Sequence, residues 1–171
     1  QNYYLIALRS MLKYLIKNDV DVLAPDKIEL AKVEDRVVDF LTRDELERLF
    51  QAVHISSRTG LRDRAVLECL YSTGLRVSEL CSLNRNAVDL ERKEFAVRGK
   101  GKKLRIVFLS PRAAEYIYEY LQSRKDNYAP VFISASNRSA KIIDITGNGE
   151  RFRLSRDTVE KVVQKYRRNA G

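Results

Sequence analysis

One turn constrains this chain more than any other feature. Gly99-Lys100-Gly101-Lys102 separates two runs rich in β-branched and aromatic residues, Phe95 to Arg98 and Lys103 to Leu109. Runs of that kind joined by a glycine-bearing connection predict an antiparallel β-hairpin. Around it, apolar residues recur mostly at three- and four-residue spacing, the period of a helix buried on one face. The expectation is a mainly α fold with a small antiparallel β-sheet, an α+β architecture.

The helical pattern starts at once, with Leu5, Leu8, Leu12 and Leu15. A helix so near the start of a chain lacks partners, so residues 1–18 are expected to be the last helix of a preceding domain. Periodicity fades around Pro25, and residues 19–39 read as a linker. A second unit, residues 40–171, opens with Thr42-Arg43-Asp44-Glu45, a capping box in which threonine and glutamate each satisfy an orphan amide. Leu46, Leu49, Phe50 and Val53 carry that helix to about residue 54. Further helices are expected over Leu61 to Ser72, stopped by Thr73-Gly74, and over Val77 to Leu83. Another starts at Ser110-Pro111, with Ala114, Ile117 and Leu121 buried, and a last one is capped by Ser155, with Val159, Val162, Val163 and Tyr166 inward. Val131 to Ile133 reads as a short strand, and Ile142 to Ile145 as one side of a second hairpin.

Composition narrows the function. The 171 residues amount to about one domain, and 44% apolar content excludes intrinsic disorder. No apolar run approaches the ~18 residues of a membrane span and no signal segment is seen, so a soluble, cytoplasmic protein is expected. Two cysteines, Cys69 and Cys81, and one histidine, His54, fit neither a disulfide framework nor a metal site. No metal or cofactor is called for.

Lysine and arginine number 32 against 23 acidic residues, a net charge of +9 that favours a polyanionic partner. Arg98 to Arg105 concentrates five cations without an acid. A second basic stretch holds Arg151, Arg153, Arg156, Lys161, Lys165, Arg167 and Arg168, and reads equally as a phosphate-binding or a merely solvated face.

Arg76 follows a glycine turn at a helix start, with Glu79 one turn later. Free amides and a guanidinium fork together suit an anion, and Glu79 can hold the arginine in place. Taken alone, the two also read as an ordinary i,i+3 pair, and Lys100 as a solvated turn lysine.

The segments TGLRVSEL (73–80) and RGKGKKLRIVFLS (98–110), with LTRDELERLF (41–50) and RDRAVLECLYSTG (62–74) ahead of them, resemble the tyrosine recombinase (phage integrase) family. ALRSMLKYLIKND followed by APDKIELAKV is similar to the end of that family's core-binding domain and its linker, closest to Xer-type members. The resemblance implies site-specific DNA recombination through a phosphotyrosyl link, on double-stranded DNA and with other recombinase protomers. It makes Arg76 the first catalytic arginine, Glu79 the acidic residue of the site and Lys100 the hairpin lysine. Lys102, Lys103, Arg105 and Arg98 are expected to bind backbone phosphates.

The family's later histidine-x-x-arginine pair is absent, since the third residue after His54 is Ser57, and no nucleophilic tyrosine follows. Tyr166, on an apolar face, reads as packing. The chain is therefore expected to be a truncated catalytic domain, a monomer that binds duplex DNA without cleaving it. The competing expectation is a noncatalytic basic DNA-binding module. A P-loop enzyme is a poor third reading, because GKGKK lacks the G-x-x-x-x-G-K-S/T spacing.

Overall fold

The computed structural model describes residues 2–31, 40–99, 103–134 and 147–171. It divides into two compact units, residues 1–40 and 41–171.

In the first unit, helix α1 (Asn2–Lys17) ends where Asp19 takes a positive φ. Its half-buried stripe runs through Leu5, Leu12 and Leu15, whereas Leu8 is exposed. A 3₁₀ turn at Pro25–Lys27 returns the chain to it. The Asn2 amide donates to the Ala31 carbonyl (2.7 Å), the Ala31 N–H donates back to Asn2 Oδ1 (2.8 Å), and Arg9 pairs with Asp26 at 3.1 Å.

The second unit is mostly helical with one three-stranded antiparallel sheet. Helix α2 (Arg43–Gln51) carries the expected capping box: the Glu45 N–H donates to Thr42 Oγ1, and Glu45 Oε2 accepts from the Thr42 N–H at 2.7 Å. Helix α3 (Arg58–Thr73) starts three residues earlier than its apolar pattern, because Ser57 caps it by accepting from the Gly60 N–H. Gly60 lets that first turn pass the end of α2, since a Cβ there would lie 1.8 Å from the His54 carbonyl oxygen. At the other end Gly74 takes the left-handed conformation, φ +60°, that terminates a helix cheaply only for glycine. Helix α4 (Val77–Cys81) follows and is shorter than its sequence pattern.

Strands β1 (Val88–Asp89), β2 (Glu94–Arg98) and β3 (Leu104–Phe108) lie in that order in the sheet. In the β2–β3 hairpin Val97 faces Arg105 and Phe95 faces Val107, while Arg98 faces Leu104. The Gly99 N–H donates to the Lys103 carbonyl at 2.9 Å, closing the ladder at the turn. Helix α5 (Pro111–Gln122), capped by Ser110, packs along α3 and buries Ala113, Ala114, Ile117 and Tyr120. Helix α6 (Arg156–Ala170), capped by Ser155, packs against α2 and buries Val159, Val162 and Tyr166; Val163 is on its exposed side.

Residues 130–134 do not form the expected strand. They thread between residues 83–84 and 152–154, joined by isolated bridges and single bonds such as Val131 N–H to Leu83 O (2.9 Å) and Leu154 N–H to Phe132 O (2.9 Å). The expected run Ile142 to Ile145 lies outside the described residues.

Helix α3 is the centre of this unit. On one side Ala65, Val66 and Cys69 join a core built from the sheet, α5 and Val159. On the other, Leu67 joins Leu49, Phe50, Val53, Val162 and Tyr166 between α2 and α6. Burial pushes the Cys69 thiol up to about 12 and also raises that of Cys81, so both behave as small apolar side chains. Among the described residues no helix is long and apolar enough to cross a membrane.

Candidate active site

The site is organised around one carboxylate. Gly74 ends α3, the chain turns, and Arg76 becomes the residue that caps α4, which sets Glu79 one turn on and directs it inward. Glu79 Oε2 accepts from the Arg76 backbone N–H at 2.9 Å, and Glu79 Oε1 accepts from Arg76 Nη1 at 2.9 Å. The expectation of a free amide at Arg76 for an anion is thus corrected: the glutamate already occupies it, as in a capping box.

A third donor arrives from the hairpin. Arg105 Nη2 donates to Glu79 Oε2 at 3.0 Å. Its register explains this: Arg105 sits opposite Val97 on the core-facing side of the sheet, at the end of a row begun by Phe95 and Val107. The carboxylate is buried (8% exposed), while 60% of the Arg76 side chain and 42% of the Arg105 side chain are exposed. Donation by the Arg76 amide outweighs the burial that opposes it. Helped by the Arg76 and Arg105 guanidiniums, it holds the Glu79 carboxyl below the usual carboxylate range.

The structure thereby unites Arg76 and Glu79, as the sequence predicts, and adds Arg105, which the sequence reading kept apart with the phosphate-binding cations. Arg105 shares the parity of Val107, but which parity of β3 faces the core is set by its pairing with β2, so the strand's own sequence does not mark it. Arg98 is exposed on the opposite face of the hairpin, and Lys103 is exposed beside the turn. Lys100 and Lys102 lie outside the described residues.

In the second basic stretch Arg153 is bonded into the fold, while Arg156, Lys161, Lys165, Arg167 and Arg168 are exposed. Arg153 donates to the Cys81 and Leu83 carbonyls (2.9 and 3.2 Å) and to Asn84 Oδ1 (2.7 Å), and also pairs with Glu150. Lys161 pairs with Asp157 at 2.7 Å. Tyr166 is 3% exposed, and its hydroxyl donates to Asp63 Oδ2 at 3.0 Å, fixing α6 to α3. Burial raises the pKa of its phenol. His54 is exposed just past the end of α2.

The second unit is thus a helical domain with a small antiparallel sheet in which an arginine of α4 and an arginine of the hairpin meet one buried acid. Residues 39–171 match the phage integrase family, and the chain belongs to that family, the tyrosine recombinases. Tyrosine recombinase XerC of Bacillus subtilis (strain 168) is 43% identical over 118 residues, covering 68% of this chain and 39% of that protein. Tyrosine recombinase XerC of Thermodesulfovibrio yellowstonii is 34% identical over 168 residues, covering 98% of this chain and 54% of its own length. This chain therefore spans about half, or less, of the relatives it matches. A crystal structure of a lambda integrase dimer bound to a COC′ core site shares the fold at a TM-score of 0.72 and 18% identity, over 99% of this chain and 57% of that one. The XerA recombinase does so at 0.60 and 24% identity, over 100% of this chain and 55% of its own.

Proposed function

We propose that this chain binds duplex DNA as part of a site-specific recombinase, and that Arg76 grips the phosphodiester at which strands are exchanged. The observation that carries the reading is Arg76 itself, a largely exposed guanidinium fixed in direction by a buried carboxylate. Such preorganisation is what phosphoryl chemistry needs, because charge grows on the nonbridging oxygens in the transition state and a cation already in place stabilises it without reorganising.

In the proposed reaction a tyrosine oxygen bonds to phosphorus and releases its proton to solvent, the bond from phosphorus to the leaving sugar oxygen breaks, the Lys100 ammonium gives that oxygen its proton, and solvent returns a proton to the lysine. The phosphotyrosyl link retains the bond energy, and the reverse step rejoins the strand. Arg98, Lys102 and Lys103 bind backbone phosphates. Burial and the bond to Asp63 favour packing over attack for Tyr166, and the 171 residues contain no histidine-x-x-arginine pair. On this reading the chain as given binds DNA as a monomer without cutting it, in the cytoplasm. Similarity to a lambda integrase tetramer bound to a Holliday junction supports action by several protomers in the whole protein.

The test is covalent attachment of DNA by the gene's full-length product. Arg76→Ala is expected to lower the cleavage rate by about 10²-fold or more, and wild-type cleavage by that variant would overturn the assignment. If Lys100→Ala weakens DNA binding no more than Lys102→Ala and leaves cleavage unchanged, the cations only bind, and the noncatalytic module is the correct reading.

A further inference from the structure

We infer that Arg105 is not a separate backbone contact but the second half of one phosphate seat, with Arg76 as the first half and Glu79 as their common counterion. The inference rests on the reading of Arg76 given above and extends it to a residue on a different element.

Three observations carry it. First, both guanidiniums donate to the same carboxylate, Arg76 to Oε1 and Arg105 to Oε2. The two cationic heads are therefore neighbours although their residues lie on α4 and β3. Second, burial is divided in an unusual sense: the acid is inside, and both cations remain substantially open to solvent. Each guanidinium has five N–H donors in a fixed fork, so one bond to Glu79 leaves each with donors for a ligand. Third, two positive heads around one negative group leave a net positive charge at the surface. An approaching anion meets the cations first, and the buried carboxylate repels it less than it fixes them.

A phosphodiester suits this seat better than a carboxylate or a halide. It presents two nonbridging oxygens, one for each fork, and a single negative charge that matches the residual charge of the seat. Arg98 cannot share in it, because the register directs it to the opposite face of the hairpin. Arg105 and Arg98, expected to act alike, therefore divide by face: Arg105 belongs with the reacting phosphate, and Arg98 with its neighbours along the strand.

The smallest probe with one phosphodiester is the dinucleotide thymidylyl-thymidine. The Nε–Hε resonances of Arg76 and Arg105 in the 171-residue chain are followed by NMR as it is added. Both are expected to move along one binding curve. Arg105→Gln is expected to weaken binding of the dinucleotide by about tenfold, Arg76→Gln by a similar factor, and the double variant by much less than the product of the two. Arg105→Lys, which keeps the charge and loses the fork, should fall between wild type and Arg105→Gln. Thermal unfolding of each variant establishes that it is folded before its affinity is compared. Movement of Arg76 with Arg105 unmoved, or an Arg105→Gln affinity within twofold of wild type, overturns the shared seat and leaves the proposed function standing. If Arg76 itself does not move, the proposed function fails as well.

Discussion

Two groups of arginine and carboxylate lie within residues 62–79, and they are built in opposite senses. In α3, Arg64 and Glu68 are both buried, at 6% and 2% exposure. Arg64 Nε donates to Glu68 Oε1 at 2.9 Å, its Nη1 donates to the Phe50 carbonyl, and its guanidinium lies 4.8 and 4.7 Å from the Phe50 and Tyr116 ring centres. Arg112 of α5 completes the group, its Nε forming an ion pair with the same glutamate oxygen at 2.7 Å while 43% of its side chain stays exposed. Next to it, Arg62 holds Asp63, which also accepts from Tyr166. At α4 the carboxylate is also buried, at 8% exposure, but both of its cations are open to solvent, whereas in the α3 group only Arg112 is. Residue types and spacings are nearly the same in both places. What separates the two is that the α3 group has one guanidinium, Arg64, enclosed by aromatic rings and a carbonyl, and the α4 group has none enclosed.

That contrast breaks at its strongest point first. Glu68→Ala leaves Arg64 a buried charge without its carboxylate, and a loss of about 3–5 kcal/mol in urea unfolding is expected; a loss below 1 kcal/mol would mean the pair is not structural. Gly60→Ala forces a methyl group into the His54 carbonyl and should cost about 1–3 kcal/mol. Tyr166→Phe removes one hydrogen bond to Asp63 and should cost about 1.5 kcal/mol by the same measurement, with no change in DNA affinity. The α4 carboxylate responds to pH. Its pKa in the folded chain lies below the ordinary value of 4.5, so its stabilising contribution is complete above that value and is lost as pH falls through the lowered one. Glu79→Gln should therefore flatten the acid limb of the stability–pH curve measured by thermal unfolding. The smallest effect on the fold belongs to Arg76→Gln, expected within about 1 kcal/mol of wild type because its pair is largely exposed.

Much of the fold is legible in the sequence where local chemistry decides it. Thr42, Ser110 and Ser155 cap their helices, and Gly74 stops α3, because each device acts within four residues of itself. Legibility fails where distant partners decide. Alternation along β3 would send Leu104, Ile106 and Phe108 inward as the more apolar face, yet they are 62%, 65% and 64% exposed. The parity is set by β2, whose Phe95 and Val97 face the core and oblige Val107 and Arg105 to join them. Arg105 thereby reaches Glu79, a contact across 26 residues that no spacing rule announces. Strand β1, two residues long, is too short to carry a pattern. Residues 130–134 have strand-like composition but find only single bonds on each side, so no ladder forms. Arg64 and Arg76 each precede a glutamate by about one turn, so that pairing alone does not tell the buried one from the exposed one. Phe50 and Tyr116 enclose one and not the other, and only the packing of α2 and α5 onto α3 puts them there.

The central claim is that the cations at α4 face outward to hold nucleic-acid phosphate. It is tested most directly by the salt dependence of duplex DNA binding, measured for the wild-type chain and for Arg76→Gln. The account predicts weaker binding by the variant at every salt concentration, a slope of log K against log salt reduced in magnitude by about one, and a melting temperature close to wild type. An unchanged slope together with a lowered melting temperature would show Arg76 to be part of the scaffold and would contradict the account.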